Sequence, residues 1–196
     1  ISDAFRTVRY CGCGSGSPIH VSPCEERGLT MIGLYGSSEM QALFSRQQAG
    51  LPAAERCIGG GMPVSALAQV RATDPDTGAV LPHGTSGALE MRGPSRFSEY
   101  FANPQATAEA FTSDDFFRTG DLGYTLEDGR FVYQSRMGDV LRLSGFLVSP
   151  PQIEGVVLED TSVAACQVVG LERDGRLRPV AFVIMQPGAR FDEAAL

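Results

Sequence analysis

The chain of 196 residues contains no lysine: all 16 basic residues are arginine, against 23 acidic ones, for a formal net charge of -7. That balance argues against a broad nucleic-acid surface, because phosphate binding draws on clustered Lys and Arg. Long apolar runs are missing too, and nothing approaches the roughly 20 apolar residues that a membrane-spanning helix requires. Cysteine is sparse, with Cys11, Cys13, Cys24, Cys57 and Cys166 forming an odd set without a CxxC pair, which disfavours a disulfide scaffold. Near Cys11 and Cys13 only His20 and Cys24 stand as further ligands, a poor set for zinc. Reduced, mostly buried thiols in a cytoplasmic protein are expected. The chain begins at Ile1 without a methionine or a signal-like segment, so it reads as an excerpt of something longer. What it does have, 43% hydrophobic and 20% charged residues, is a globular composition with room for one domain, or one and a fragment.

Alternation from Phe5 to Tyr10, a Gly/Ser loop in YCGCGSGSP and the apolar stretch LTMIGLY ending at Tyr35 read as strand, loop, strand. After GSSE, the segment MQALFSRQQA places Met40, Leu43 and Phe44 at helical spacing. Ser38 with Gln41 fits a capping box, so a short helix is predicted there. The middle is punctuated by DPDTG and LPHGTSG between short runs such as AQVRAT and GALEMRG, a pattern of small antiparallel strands. NPQATAEAF predicts one or two helical turns opened by Asn103 and Pro104. EDGRFVYQSR then carries a DG turn into a strand. The polar joint at Gly138 and Asp139 interrupts two β-prone runs and marks a domain boundary. Beyond it Ser149, Pro150 and Gln152 specify a helix with Ile153, Val156 and Val157 on its apolar face. VAACQVVGL and PVAFVIM follow as strands.

Four polar clusters stand out: GSP near Gly16, YGSSE at Tyr35 to Glu39, RTGD at Arg118 to Asp121, and SRMGD at Ser135 to Asp139. Each has a bland reading. GSGSP is a glycine loop rich in backbone N–H groups, but without the lysine of a phosphate loop. YGSSE alone is a capped helix start with a solvated glutamate, and RTGD alone a turn. Arg136 is equally a surface arginine at a strand end, Tyr133 a cross-strand tyrosine, and Gly145 a strand bulge. Gly59 to Pro63 is either a tight turn or the edge of a substrate pocket.

In order and spacing, these clusters, together with GALEMRGPSRFSEYFANPQATAEAF, resemble the adenylate-forming superfamily of acyl-CoA synthetases, peptide-synthetase adenylation domains and luciferases. The resemblance implies an α/β fold, α+β in parts. Residues 1–137 would be the end of the large N-terminal domain, with a β-rich distorted-barrel subdomain over about 60–137. Residues 138–196 would be an incomplete small α+β domain that follows a hinge at Asp139. The resemblance further implies ATP, AMP, Mg²⁺ and coenzyme A as ligands and a carboxylic acid as substrate. Tyr35 would stack on adenine and Gly36 let the backbone approach the nucleotide. Ser38 would meet the α-phosphate at a helix start that favours an anion, and Glu39 would bind Mg²⁺. Asp121 would accept from both ribose hydroxyls, Gly120 would admit the sugar, and Phe116 and Phe117 would exclude water. Arg136 would reach ribose or phosphate oxygens, Tyr133 pack beside the base, and Gly16, Ser17 and Pro18 form the turn beside adenine. Gly145 would let the pantetheine arm pass.

The family's C-terminal lysine has no counterpart in a chain without lysine, and its phosphate loop normally lies far upstream of YGSSE. The expectation is therefore a piece of an AMP-forming acid–CoA ligase, inactive by itself. A peptide-synthetase-type or acyl-AMP ligase domain, or a catalytically silent nucleotide-binding module, stands as the alternative. YGSSE and SGFLVSPPQIE resemble CoA ligases more closely.

Overall fold

The computed structural model describes residues 11–13, 24–143, 146–173 and 176–189. Two compact units are present, residues 1–133 and 134–196. The strand expected at Phe5 to Tyr10 lies outside the described residues, as do Gly16, Ser17, Pro18 and Gly145.

The first unit is built on one sheet. Its strands are β1 (Cys11–Cys13), β2 (Met31–Ser37), β3 (Gln41–Arg46), β4 (Gly60–Pro63), β5 (Gln69–Thr73), β6 (Gly87–Arg92), β7 (Phe117–Thr125) and the first half of β8 (Phe131–Arg136), which runs on into the second unit. They lie side by side in the order β1-β2-β3-β4-β8-β7-β6-β5. β1 and β2 run parallel, whereas β2 with β3 and β5 with β6 are antiparallel. Turn chemistry sets these registers. In DPDTG the Asp74 carboxylate accepts from the N–H groups of Asp76 and Thr77 at 2.9 and 2.8 Å, a local closure that Asp is suited to make. It leads toward the β5–β6 pairing of Gln69 with Arg92 through Thr73 with Ala88. β4 is an inner strand, so Gly60 to Pro63 is not the turn considered above.

The helix expected after GSSE is instead β3, the second arm of a hairpin. A spacing of four, as between Met40 and Phe44, repeats on one face of a helix and also on one face of a strand. Leu43 separates the cases: a helix would bury it with them, and here it is 42% exposed while Phe44 is buried. The tight hairpin also explains Gly36, where an added Cβ would lie 2.3 Å from the Ala42 carbonyl oxygen. Glycine is required by the approach of β3, and without a helix start the expected anion site at Ser38 has no helix dipole behind it.

The short helices α1 (Ala53–Arg56) and α2 (Pro104–Ala110) lie beside the sheet. α2 begins as its sequence indicates, with Asn103 accepting the Ala106 N–H at 3.1 Å and proline in the first turn. The core gathers Tyr35, Met40, Phe44, Ala72, Leu89, Met91, Phe117 and Phe131. Fully burying a side chain the size of Leu89, Met91 or Phe131 contributes about 1.5–3 kcal/mol.

The second unit contains a 3₁₀ turn (Met137–Asp139), the antiparallel pair β9 (Leu141–Leu143) and β10 (Phe146–Val148), α3 (Pro150–Val157), and the hairpin β11 (Val163–Arg173) and β12 (Arg176–Met185). Gln152 Oε1 accepts the Ser149 N–H at 3.1 Å, closing the start of α3. Ile153 and Val157 are half-buried, but Val156 is 67% exposed, so the apolar face is narrower than expected. Leu141, Val163 and Val168 form the buried centre of this unit.

Candidate functional site

Contrary to the simple turn reading, RTGD lies within β7. Ala88 pairs with Leu122 and Glu90 with Arg118, so Leu89 alone on β6 faces Thr119, Gly120 and Asp121 on β7. This is a β-bulge with two extra residues, a device that re-aims side chains. Gly120 has φ +72°, while a Cβ there would meet nothing within 4 Å. The positive φ by itself favours glycine here, because an L side chain rarely adopts that conformation. The Thr119 hydroxyl donates to the Leu89 carbonyl at 2.7 Å, and Thr119 Oγ1 accepts the Asp121 N–H at 3.1 Å.

The bulge presents Asp121 to the hairpin at the other motif. Asp121 is only 2% exposed, and its Oδ2 accepts the Tyr35 hydroxyl at 2.5 Å across 86 positions of sequence. A carboxylate this buried is stable only with such partners. The Tyr35 ring packs edge-on to Phe131 at 5.2 Å and lies tilted beside Tyr133 at 5.7 Å. Phe44 stands 6.5 Å away, also edge-on. Tyr35, Asp121 and Tyr133, three of the expected site residues, thus converge. Of the two phenylalanines, Phe117 belongs to the core cluster that holds Tyr35. Phe116, just before β7, lies beneath the guanidinium groups of Arg71 at 3.9 Å and Arg92 at 4.8 Å, a cation–π stack.

The turn between β2 and β3 carries the remaining polar residues. Ser37 Oγ, not Ser38, accepts the Met40 N–H at 3.2 Å, and Ser38 is exposed. The chain from Ser95 to Tyr100 is fastened onto this turn: Phe97 N–H donates to the Glu39 carbonyl at 2.7 Å, and Ser95 Oγ to that of Met40 at 2.9 Å. The Tyr100 hydroxyl donates to Glu39 Oε1 at 3.2 Å. Burial, followed by the charge of Glu39 and this bond, pushes the Tyr100 phenol up, so it stays a donor at neutral pH. Tyr100 is a site neighbour that the motifs did not single out; its signal is the aromatic-NP stretch itself.

Among the described residues no group of three or more His, Cys, Asp or Glu is placed to hold a metal. A single held carboxylate at Glu39 fits Mg²⁺, which keeps waters and substrate phosphate oxygens for most of its ligands. In the second unit, Arg136 is the exposed last residue of β8 and Asp139 is exposed in the 3₁₀ turn. A cleft of about 430 Å³ is lined by residues including Arg46, Gln47, Met62, Pro63 and Val64, two of them from the Gly59 to Pro63 stretch.

No family model matches the chain. It is 34% identical to the sulfoacetate–CoA ligase of Cupriavidus necator over 96% of this chain and 37% of that protein. It is 32% identical to the benzoate–CoA ligase of Thauera aromatica over 85% of this chain and 31% of that protein. Among solved structures, ATP-bound MatB from Rhodopseudomonas palustris superposes with a TM-score of 0.79 at 29% identity, covering 94% of this chain and 36% of that one. The chain thus spans about a third of the length of these relatives.

Proposed function

The chain belongs to the adenylate-forming superfamily, and from that premise we propose that it carries the nucleotide-facing part of an acid–CoA ligase. The full-length enzyme activates a carboxylic acid with ATP, forming an acyl-adenylate and pyrophosphate, and then passes the acyl group to the thiol of coenzyme A. The observation that carries this reading is the meeting of Tyr35 and Asp121, from two distant motifs, at a bulge that aims a buried carboxylate.

In this reading Asp121 accepts hydrogen bonds from the ribose hydroxyls, while Tyr35 and Tyr133 flank the base. Gly16, Ser17 and Pro18 complete the adenine side. The exposed Ser38 hydroxyl reaches the α-phosphate. Glu39, held by Tyr100, offers the hard oxygen for Mg²⁺, whose charge offsets that gathering on the phosphates. Arg136 supplies a planar fork to ribose or phosphate oxygens. Asp139 serves as the hinge between the half-reactions, and Gly145 lines the pantetheine path. The domains divide at about residues 137 and 138, and the protein acts in the cytoplasm. The 196 residues by themselves do not complete the cycle: they contain no lysine to stabilise the phosphoryl charge.

The test is product analysis. Incubated with ATP, Mg²⁺ and a panel of carboxylic acids, the full-length protein is expected to release AMP and pyrophosphate only when an acid is accepted, and to form a thioester when coenzyme A is added. Release of ADP and phosphate in place of AMP would refute the assignment.

A further inference from the structure

We infer that Thr119 is the positioning residue for Asp121, an inference that rests on the reading of Asp121 as the ribose-binding carboxylate. The bulge leaves Leu89 opposite three residues of β7, so the regular ladder is interrupted at the Leu89 carbonyl and the Asp121 N–H. One side-chain atom serves both: Thr119 Oγ1 donates to Leu89 at 2.7 Å and accepts from Asp121 at 3.1 Å. Thr119 is itself 9% exposed and Leu89 1%, so water is a poor substitute.

The geometry has a direct consequence. The hydroxyl ties the Asp121 backbone to β6, and the side chain leaves that anchored backbone toward Tyr35. Gly120, at φ +72°, contributes the bend but no tether. Without the hydroxyl, the Asp121 backbone relaxes and its carboxylate no longer meets a rigid ring of ribose hydroxyls in register. Placement errors of this kind weaken a two-point contact far more than they weaken the rest of the nucleotide's binding. Valine has the shape of threonine without the hydroxyl, whereas serine keeps the hydroxyl and drops a methyl group.

The full-length protein is titrated calorimetrically with AMP and with 2′-deoxy-AMP as parent, Thr119→Val, Thr119→Ser and Asp121→Asn. Thr119→Val is expected to weaken AMP binding on the order of tenfold and to erase most of the preference over 2′-deoxy-AMP, and Thr119→Ser to restore both. A folded Thr119→Val protein that keeps the parent's preference, while Asp121→Asn loses it, would overturn the role of Thr119. If Asp121→Asn also keeps the preference, the ribose reading itself fails. Should Thr119→Val not fold, the serine variant decides: retention of the preference supports the inference, and its loss overturns it.

Discussion

Replacing Tyr35 by phenylalanine removes a single oxygen from the buried site and leaves the ring that packs against Phe131, Phe44 and Tyr133. The lost interaction is the 2.5 Å bond to Asp121 Oδ2, between residues that are 7% and 2% exposed. Hydrogen bonds to a charged group contribute about 1.5–3 kcal/mol when neither partner regains water. Coulomb screening is weak at this depth, so the lower end of that range is the floor expected. A cycle of Tyr35→Phe, Asp121→Asn and the double variant isolates the pair, because the ring contacts cancel between arms. Urea unfolding of each full-length protein reads it. With a slope of about 2 kcal/mol per molar for the transition involving the first unit, a coupling of about 2 kcal/mol corresponds to a midpoint difference of about 1 M between additive and observed behaviour. Additivity within about 0.5 kcal/mol would refute the reasoning and reduce the Tyr35–Asp121 contact to a geometric coincidence.

Glu25 and Arg56 give a pH prediction, since their bidentate bonds at 2.6 Å hold the Glu25 carboxyl below its ordinary value. A depressed folded pKa stabilises above the unfolded value of about 4.3, and the contribution is lost as pH falls through the folded value. Glu25→Gln should therefore lower Tm at pH 7 and flatten its fall between about pH 5 and 3; parallel Tm profiles would contradict this. Gly36→Ala drives a Cβ to 2.3 Å from the Ala42 oxygen, so it should destabilise by about 2 kcal/mol or more, seen as a Tm loss, and an unchanged Tm would show that the hairpin yields. Asp139→Pro fixes φ near -65° at the proposed hinge; single-turnover assays should find adenylate formation retained and thioester formation strongly slowed, with equal losses in both steps counting against a hinge.

The parts of the fold that local chemistry specifies were legible in the sequence. Asn103 with Pro104 opens α2, and Ser149, Pro150 and Gln152 open α3, because capping uses side chains within a few residues of the helix start. β3 was misread because Met40 and Phe44 satisfy helix and strand periods alike, and the deciding constraint, β3 pressing on Gly36, is a contact across the hairpin. Tyr35, Glu39 and Asp121 were visible as motif residues. Their assembly was not, since the bulge depends on the register between β6 and β7. The same limit hid Tyr100, whose link to Glu39 spans 61 positions, and the double duty of the Thr119 hydroxyl.

The central claim is that Asp121 holds the ribose of ATP, and nucleotide discrimination by the full-length enzyme tests it most directly. Acid-dependent AMP formation should be measured with ATP and with dATP for the parent and Asp121→Ala. Loss of charge-assisted bonds of about 1.5–3 kcal/mol should lower kcat/KM for ATP by about tenfold to a hundredfold while bringing ATP and dATP close to parity. An Asp121→Ala enzyme that prefers ATP over dATP as strongly as the parent would contradict the account.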